Sequence, residues 1–379
     1  MEQRARRILT THTGSLPRPK ELIALMMDEQ AGRLRDRSAL DDLVRSSVAE
    51  VVKKQAATGL DIINDGEQGR VDYTVYIKDR LTGFEGESLP PTAVGSEEFP
   101  ELAALLSQFA SPFQIRPACT GPVTWKDWPA VEADLENLKA ATKGVQAEEV
   151  FMTSPSPGQI ARFLRNRYYP NDKAYLYALA DVMKRQYHAI VNAGFLLQLD
   201  CPDLAISRTT LFAHLTLEEF RKVVEMHVEA LNYAVADIPA DRLRMHVCWG
   251  STTGPHHRDV PLRDIVDILL KARPSGLAFP GANPRHEHEW KIWKEVKLPE
   301  GKVIIPGVID STSNFVEHPE LVADRIVRYA DGLGRTNMIA GVDCGFGTFA
   351  GRVQVDSKIV WLKLQSLVEG ARMASEALW

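Results

Sequence analysis

Short apolar runs alternate along this chain with longer segments in which apolar residues recur every three or four positions. The helical spacing is clear after Ser38, where leucines and valines recur over residues 40–52 until Gly59. The apolar run at residues 60–63 follows and ends in Asp65-Gly66-Glu67. An apolar run that follows a helix in this way is typical of the strand and helix alternation of a parallel sheet.

The same alternation continues to the C-terminus and yields nine candidate strands. They lie near residues 8–12, 60–67, 114–122, 150–153, 195–200, 244–248, 276–279, 302–308 and 337–342. Eight strands with helices outside predict an α/β fold, a single (β/α)8 TIM-type barrel over residues 1–379. Gly, Pro and Glu interrupt the alternation from about residue 80, which predicts an insertion near residues 80–145. The ninth candidate, near Gln114, is then a hairpin or edge piece.

Composition excludes several classes of protein. The net charge is −5 with acidic and basic residues mixed throughout, so nucleic acid is not an expected partner. No apolar run approaches the roughly 20 residues of a membrane span. The basic N-terminus has no apolar segment after it, and four scattered cysteines suggest a reducing compartment. We therefore expect a cytoplasmic protein, and the sequence leaves its oligomeric state open.

Soft metal ligands stand at two predicted strand ends. His246 and Cys248 are two positions apart, so a strand would point both to one face. Cys344 follows the last strand and can supply a third ligand, which predicts a zinc site with one open position. The alternative is a buried core cysteine beside a hydrogen-bonded histidine.

Further polar residues are predicted at the same end of the barrel, where active sites of this fold lie. They are His12, Glu67, Asp200 and Asp310. Each carboxylate has an alternative role as a helix N-cap. Their recurrence on separate strands favours a binding site, because converging polar groups are costly to desolvate without a partner.

Five motifs occur in order along the chain. They are Thr13-Gly14-Ser15-Leu16-Pro17-Arg18, Asp65-Gly66-Glu67, Gln198-Leu199-Asp200-Cys201-Pro202, His246-Val247-Cys248 and Asp343-Cys344-Gly345. In this order they resemble the catalytic barrel of cobalamin-independent methionine synthase. Because the chain has room for one barrel, it looks more like the stand-alone relatives, which include epoxyalkane:coenzyme M transferase (2-hydroxyalkyl-coenzyme M lyase).

This resemblance implies that zinc binds a substrate thiol, lowers its pKa and leaves a thiolate that attacks an alkyl electrophile. The partners are then a small-molecule thiol and an alkyl donor. We expect an epoxide-like electrophile. The first alternative is methyl transfer to homocysteine from methyltetrahydropteroylglutamate or a simpler donor, and the second is a non-catalytic barrel with structural zinc.

The resemblance also implies site residues. Glu67 and Asp200 match acids that contact homocysteine in the synthase, and Ser15 and Arg18 fall in a matching motif. A sulfonate, as in coenzyme M, would instead need cationic groups. Candidates in the predicted mouth loops are Arg18, Arg70, Arg208 and Arg285.

Two positions depart from the synthase pattern. Pro280 follows the strand where the synthase has a glutamate associated with zinc, so the fourth place belongs to water and substrate or to a carboxylate such as Glu287. No tryptophan stands in residues 154–163, which correspond to the folate-holding loop, although Trp125 and Trp128 follow another Gly-Pro pair.

Opening an epoxide requires a proton donor for the departing alkoxide. His12 is the first candidate, because the usual histidine pKa suits donation at neutral pH, and Tyr73 is the second. The alternative for His12 is a hydrogen bond to the turn at Gly14.

Overall fold

The computed structural model describes residues 6–88, 98–107 and 116–379. Seven parallel strands pair in the order β1-β4-β5-β6-β7-β8-β9. They are β1 (Ile62–Ile63), β4 (Glu149–Pro155), β5 (Leu196–Asp200), β6 (Leu243–His246), β7 (Gly276–Phe279), β8 (Val303–Ile309) and β9 (Gly341–Val342).

Eleven α-helices lie within the described residues. They are α1 (Lys20–Gln30), α2 (Arg37–Thr58), α3 (Ile77–Arg80), α4 (Pro100–Ser107), α5 (Pro129–Thr142), α6 (Pro157–Phe163), α7 (Asp172–Asn192), α8 (Leu217–Ala234), α9 (Val266–Leu269), α10 (Pro319–Leu333) and α11 (Ser357–Leu378). Polar side chains cap the N-termini of several of them. The Thr216 hydroxyl, for example, accepts from the Glu219 N–H at the start of α8.

The N-terminal segment joins the two edges of the seven-stranded sheet. The Thr11 N–H donates to the Ala340 carbonyl beside β9, and the Ile62 N–H of β1 donates to the Thr10 carbonyl. Parallel bridges on both sides make this segment the eighth member of the ring. The arrangement is consistent with a TIM-type barrel, and the predicted α/β class is confirmed.

Apolar side chains fill the inside of the ring as well as the layer between sheet and helices. An inner cluster of seven buried residues comes from six places around the ring, with two residues from β8: Leu9, Ile62, Phe151, Ala278, Val303, Ile305 and Ile339. Above it, Arg244 lies 4.3 Å over the Phe151 ring and donates to the Thr11 hydroxyl and the His12 carbonyl. The barrel interior is therefore packed, and open space is left to the strand ends and loops.

The region between residues 80 and 145 contains a second, two-stranded sheet. β2 (Phe84–Ser88) pairs antiparallel with β3 (Arg116–Cys119), outside the main sheet. This pairing confirms the surplus strand as a hairpin-like piece, although Gln114 itself lies outside the described residues. α5 packs against α2 in the same region, and the extent of the insertion stays a prediction.

Two local predictions were less accurate. The sequence of residues 263–272 predicts one helix between two strands, whereas the structure has a 3-10 turn followed by the four-residue α9. The sequence also predicts that His286 and His288, which could be read as metal ligands, lie on an exposed helix start. In the structure His286 is buried and directly precedes a 3-10 helix that begins at Glu287. Across the described ranges, no helix is both long and apolar enough to cross a bilayer.

Candidate metal and substrate site

The three predicted metal ligands converge at the carboxyl ends of β6 and β9. His246 ends β6, Cys248 follows two residues later, and Cys344 lies two residues after β9. Their ligand atoms all lie within 4.8 Å of one another. The Cys248 and Cys344 sulfurs are 3.8 Å apart. Tetrahedral zinc with Zn–S distances of about 2.3 Å requires a separation of about 3.8 Å, so the sulfur pair fits this metal.

Unpartnered polar atoms at this point also fit a metal. Both ring nitrogens of His246 are buried without a hydrogen-bond partner in the described part of the chain. The Gly250 N–H points at the Cys248 sulfur at 3.0 Å, which favours a thiolate. Contact with the Cys344 thiol lowers the pKa of Cys248, and the same contact raises the pKa of Cys344.

A buried carboxylate fixes the loop that carries Cys344. Asp343 accepts hydrogen bonds from the backbone N–H groups of Gly281, Ala282 and Asn283 at 2.8 to 2.9 Å. It thereby ties the end of β9 to the loop after β7. Sequence reasoning missed this role, because no spacing rule links Asp343 to a loop 60 residues earlier.

No fourth protein ligand is present among the residues that the structure describes. The metal-ligand group contains His246, Cys248 and Cys344 alone. Pro280 offers no ligand atom, and Glu287 instead pairs with the Arg325 Nε at 3.1 Å. Three ligands and an open position are typical of catalytic rather than structural zinc.

A cavity of about 200 Å³ adjoins these ligands. Four more predicted site residues line it: Ser15, Glu67, Tyr73 and Asp200. The register places Asp200 of β5 directly beside His246 of β6, so both side chains point the same way. The structure thus brings together seven of the nine predicted site residues.

Glu67 and Asp200 are buried acids that face one cavity. The Glu67 carboxylate accepts from the Thr153 hydroxyl at 2.9 Å, while its other oxygen has no partner within the described chain. The Gln198 amide donates to Asp200 at 2.9 Å. Burial raises the pKa of both acids; the charge of Asp65 raises the pKa of Glu67 further, and the charge of Glu67 raises that of Asp200. A cationic ligand group would relieve this repulsion.

The backbone at Gly14 packs closely against the Glu67 carboxylate. A Cβ atom added to Gly14 would lie 2.7 Å from the Glu67 carboxylate and 2.8 Å from the Thr153 methyl group, and Gly14 has a φ of 148°. Glycine is therefore required at this point in the loop after the first strand segment.

His12 and Arg18 lie outside the cavity. His12 Nε2 is 2.7 Å from the Gln55 side-chain oxygen, and its Nδ1 accepts from the Gly14 N–H at 3.3 Å, the alternative that the sequence left open. Burial lowers the pKa of His12 to about 4, so the ring is neutral near pH 7, and its one N–H faces Gln55 rather than the cavity. Arg18 donates to the Glu67 carbonyl at 2.7 Å and to the Gly347 carbonyl, and so holds two site loops together.

The other predicted mouth residues also have structural partners. Arg70 donates to Thr153, Arg208 to the carbonyls of Phe212 and Ala213, and Arg285 to Asn283 and Gly250. Asp310 accepts from the Thr312 N–H in its own turn.

Neither tryptophan considered for folate lines the cavity. Trp125 donates to the Val182 carbonyl at 2.8 Å and packs edge-on against Trp128.

Three arginines that line the cavity were not among the sequence candidates. Arg116 begins β3, Arg162 lies in α6, and Arg352 precedes α11. Of the three, only Arg162 could have been predicted from the sequence, because it falls in the short stretch that follows β4. The other two reach the site through loop paths that hydrophobic periodicity does not predict.

Comparison with known proteins gives a consistent result. The family described as "Cobalamin-independent synthase, Catalytic domain" matches residues 8–150. A methionine synthase of Saccharolobus solfataricus is 24% identical over 373 residues, which cover 97% of this chain and 95% of that protein. Over residues 8–150 the chain is thus similar to the catalytic domain of cobalamin-independent synthases, and along nearly its whole length it is similar to a methionine synthase.

Solved structures of such synthases share the fold. A B12-independent methionine synthase from Shewanella sp. W3-18-1, in complex with selenomethionine, superposes with a TM-score of 0.74 at 17% identity and covers 98% of this chain and 99% of that one. A putative vitamin-B12 independent methionine synthase from Listeria monocytogenes gives a TM-score of 0.66 at 19% identity, with 98% and 99% covered. At these identities the two structures support the fold alone.

Proposed function

We propose that this protein is a zinc-dependent methyltransferase that converts homocysteine to methionine. The observation that carries the proposal is the cavity itself, in which the His246, Cys248 and Cys344 ligand set adjoins the paired acids Glu67 and Asp200. The methionine synthase relatives, which match along nearly the whole chain, support the same reaction.

His246, Cys248 and Cys344 would hold the metal. Zinc at this point supplies a cation that stabilises the thiolate form of a substrate thiol near neutral pH. Cys248 and Cys344 keep the site rich in negative charge, and the Gly250 N–H helps to hold Cys248 as a thiolate. Three protein ligands leave room for a substrate sulfur, which argues against a purely structural metal.

Glu67 and Asp200 would bind the ammonium group of homocysteine. Both carboxyl groups line the cavity, and one Glu67 oxygen has no partner in the described structure. An ammonium ion supplies the missing donor and balances two buried negative charges. Ser15, whose hydroxyl accepts from the Gly347 N–H at 3.3 Å, lies on the same cavity wall and can donate to the substrate carboxylate.

Tyr73 would hold a proton near the leaving group of the methyl donor. Its phenol lines the cavity and accepts from the Gln159 amide at 3.0 Å. Burial raises the pKa of Tyr73 above its usual value, so the phenol stays protonated at neutral pH. The comparisons do not support the expected attack on an epoxide by coenzyme M, and they favour the homocysteine alternative.

The test combines metal analysis with a product assay. The purified protein is expected to contain about one zinc per chain, following the three-ligand rule, and Cys248→Ala and Cys344→Ala should lose most of it. Cys119→Ala is the control, since Cys119 is buried away from the cavity.

Zinc-loaded protein is then incubated with L-homocysteine and a ¹³C-methyl donor, either methyltetrahydropteroylglutamate or a smaller compound. We expect ¹³C-methionine from wild type and none from the two site variants. A full zinc content in both variants would contradict the proposed metal site. If the protein consumes an epoxide and a thiol but forms no methionine, the reaction is the epoxide alkylation that the sequence led us to expect.

A further inference from the structure

Three guanidinium groups face the cavity without an anionic partner. Arg116, Arg162 and Arg352 come from β3, α6 and the segment before α11. Within residues 6–88, 98–107 and 116–379, none of the three forms an ion pair. The Nε atoms of Arg116 and Arg162 are buried without an acceptor, and the Arg162 side chain is only 8% exposed.

One aromatic ring organises two of these groups. The Arg116 guanidinium lies 3.8 Å from the centre of the Phe163 ring, and that of Arg162 lies 5.0 Å from it. The Phe163 ring in turn packs edge-on against Tyr73 at 5.7 Å. Stacking on a fixed ring limits the rotamers of both arginines, so their free N–H groups are held in place before a ligand arrives.

The two carboxylates whose charge acts on Arg116 and Arg162 have other partners. Asp203, beside Arg162, is 2.7 Å from His227 Nδ1 and accepts from the Ser156 hydroxyl at 2.8 Å. Asp72, beside Arg116, accepts backbone N–H groups in its own turn, from Thr74 at 2.6 Å and from Val75. Neither acid comes within ion-pair distance of an arginine of this cluster. Buried cations without partners are unfavourable, so the arrangement calls for a negatively charged ligand.

We propose that Arg116, Arg162 and Arg352 form an oxyanion site that binds a carboxylate, sulfonate or phosphate group of a substrate. Arginine suits these groups, because its planar guanidinium can donate two parallel hydrogen bonds to them. Phe163 and Phe349 line the same cavity and offer apolar surface to a short alkyl chain.

The cavity size restricts the ligand further. Its volume of about 200 Å³ is below the roughly 300 Å³ at which pockets for drug-sized ligands begin. A compact anionic molecule therefore fits better than an extended one. The location of the reacting sulfur rests on the proposed function, whereas anion binding at the arginines does not.

The proposal is tested with anions that carry no thiol. Ethanesulfonate, propionate and ethylphosphonate are titrated into the protein by calorimetry, with ethyl methyl sulfone as the neutral comparison. We expect at least one anion to bind at least about tenfold more tightly than the sulfone. Arg162→Gln and Arg352→Gln should each weaken that anion by about tenfold or more, and Arg162→Lys should recover part of the loss.

Arg33→Gln is the matched control, because Arg33 is exposed and pairs with Asp28 on the surface. Circular dichroism and thermal unfolding identify a variant that fails to fold, in which case Arg352→Gln, at a partly exposed position, carries the test. Equal binding of anions and sulfone by wild type would overturn the proposal. Wild-type affinity in both folded glutamine variants would also overturn it.

Two further arms separate this proposal from the methyltransferase. Wild-type protein from which a chelator has removed any metal should still bind the anion more tightly than the sulfone, so the arginine site can be supported even if methionine is never formed. Titration at saturating homocysteine then identifies the source of the oxyanion. If the affinity for the anion is unchanged by homocysteine, the oxyanion belongs to the methyl donor. If homocysteine competes with the anion, the oxyanion belongs to the thiol substrate.

Discussion

Two buried acids in one cavity define the chemistry at the scale of single residues. Burial raises the pKa of Asp200 well above its usual value, and the charge of Glu67 raises it further. The pKa of Glu67 is raised by burial too, although Arg70 partly offsets the effect. A bound ammonium group would stabilise both ionised forms, so affinity for an amine should depend on this pair.

We predict that Glu67→Gln and Asp200→Asn each weaken homocysteine binding by about 10- to 100-fold, since hydrogen bonds to charged groups contribute roughly 1.5–3 kcal/mol. Binding of 4-mercaptobutyrate, which is homocysteine without its amine, should change much less. Calorimetry with zinc-loaded protein measures both ligands.

Asp310→Asn serves as the control, because Asp310 caps its own turn and does not line the cavity. Equal losses for the two thiols would show that the acids shape the cavity and do not recognise an amine.

Side chains on strands were easier to predict than those on loops. β6 ends at His246, but the Val247 N–H still donates to the Ala278 carbonyl of β7, so the two-residue alternation of the strand extends to Cys248. Cys344 joins them because parallel strands end at one edge of the barrel. Arg116 and Arg352 could not be predicted in this way, since their positions depend on a hairpin and on the path of a loop. The role suggested for His12 depended on exposure, and the structure buries its ring.

At the scale of elements, a buried ion network joins two loops of the site. His286, after β7, lies 2.9 Å from Glu289 and 3.2 Å from Asp259 in the loop after β6. Glu289 also accepts from the Leu262 N–H at 2.6 Å. Burial alone would lower the pKa of His286, but the carboxylates of Asp259 and Glu289 outweigh this effect and raise the pKa to about 9.

This network predicts a loss of stability in mild base. A histidine whose pKa is raised on folding stabilises the protein fully below its unfolded pKa of about 6.5, and the stabilisation is lost as pH rises through about 9. We expect wild type to lose up to roughly 3 kcal/mol of unfolding free energy from this group between pH 6.5 and 9.5. His286→Gln should lose correspondingly less.

Urea unfolding at the two pH values measures the difference. His214→Gln, at an exposed position, is the control and should follow wild type. If His286→Gln loses as much stability as wild type between the two pH values, other groups cause the pH dependence. The sequence placed His286 on an exposed helix start, because helical spacing carries no information about a loop that folds over it.

At the scale of the whole molecule, ring closure depends on the N-terminal segment. Leu9 is 4% exposed and belongs to the inner cluster, and its carbonyl accepts from the Ala340 N–H. The order of strands and helices was predictable from the alternation of apolar runs. The short pairing of β1 and of residues 10–11 was not, because the extent of pairing depends on the curvature of the closed sheet.

We predict that Leu9→Ala lowers the free energy of unfolding by about 2–5 kcal/mol, the usual range for a buried leucine. Leu362→Ala, at a side chain that is 49% exposed, should change it by less than about 0.5 kcal/mol. Denaturant unfolding of both variants provides the comparison. Similar small effects for the two substitutions would mean that the inner cluster contributes little to closure.

The central claim is that homocysteine sulfur occupies the open position beside His246, Cys248 and Cys344. X-ray absorption at the zinc edge, recorded with and without L-homocysteine, tests it most directly. The account predicts a gain of one Zn–S contact at about 2.3 Å when homocysteine is added. A first shell that stays the same at saturating homocysteine, or a protein that binds no zinc, would contradict it.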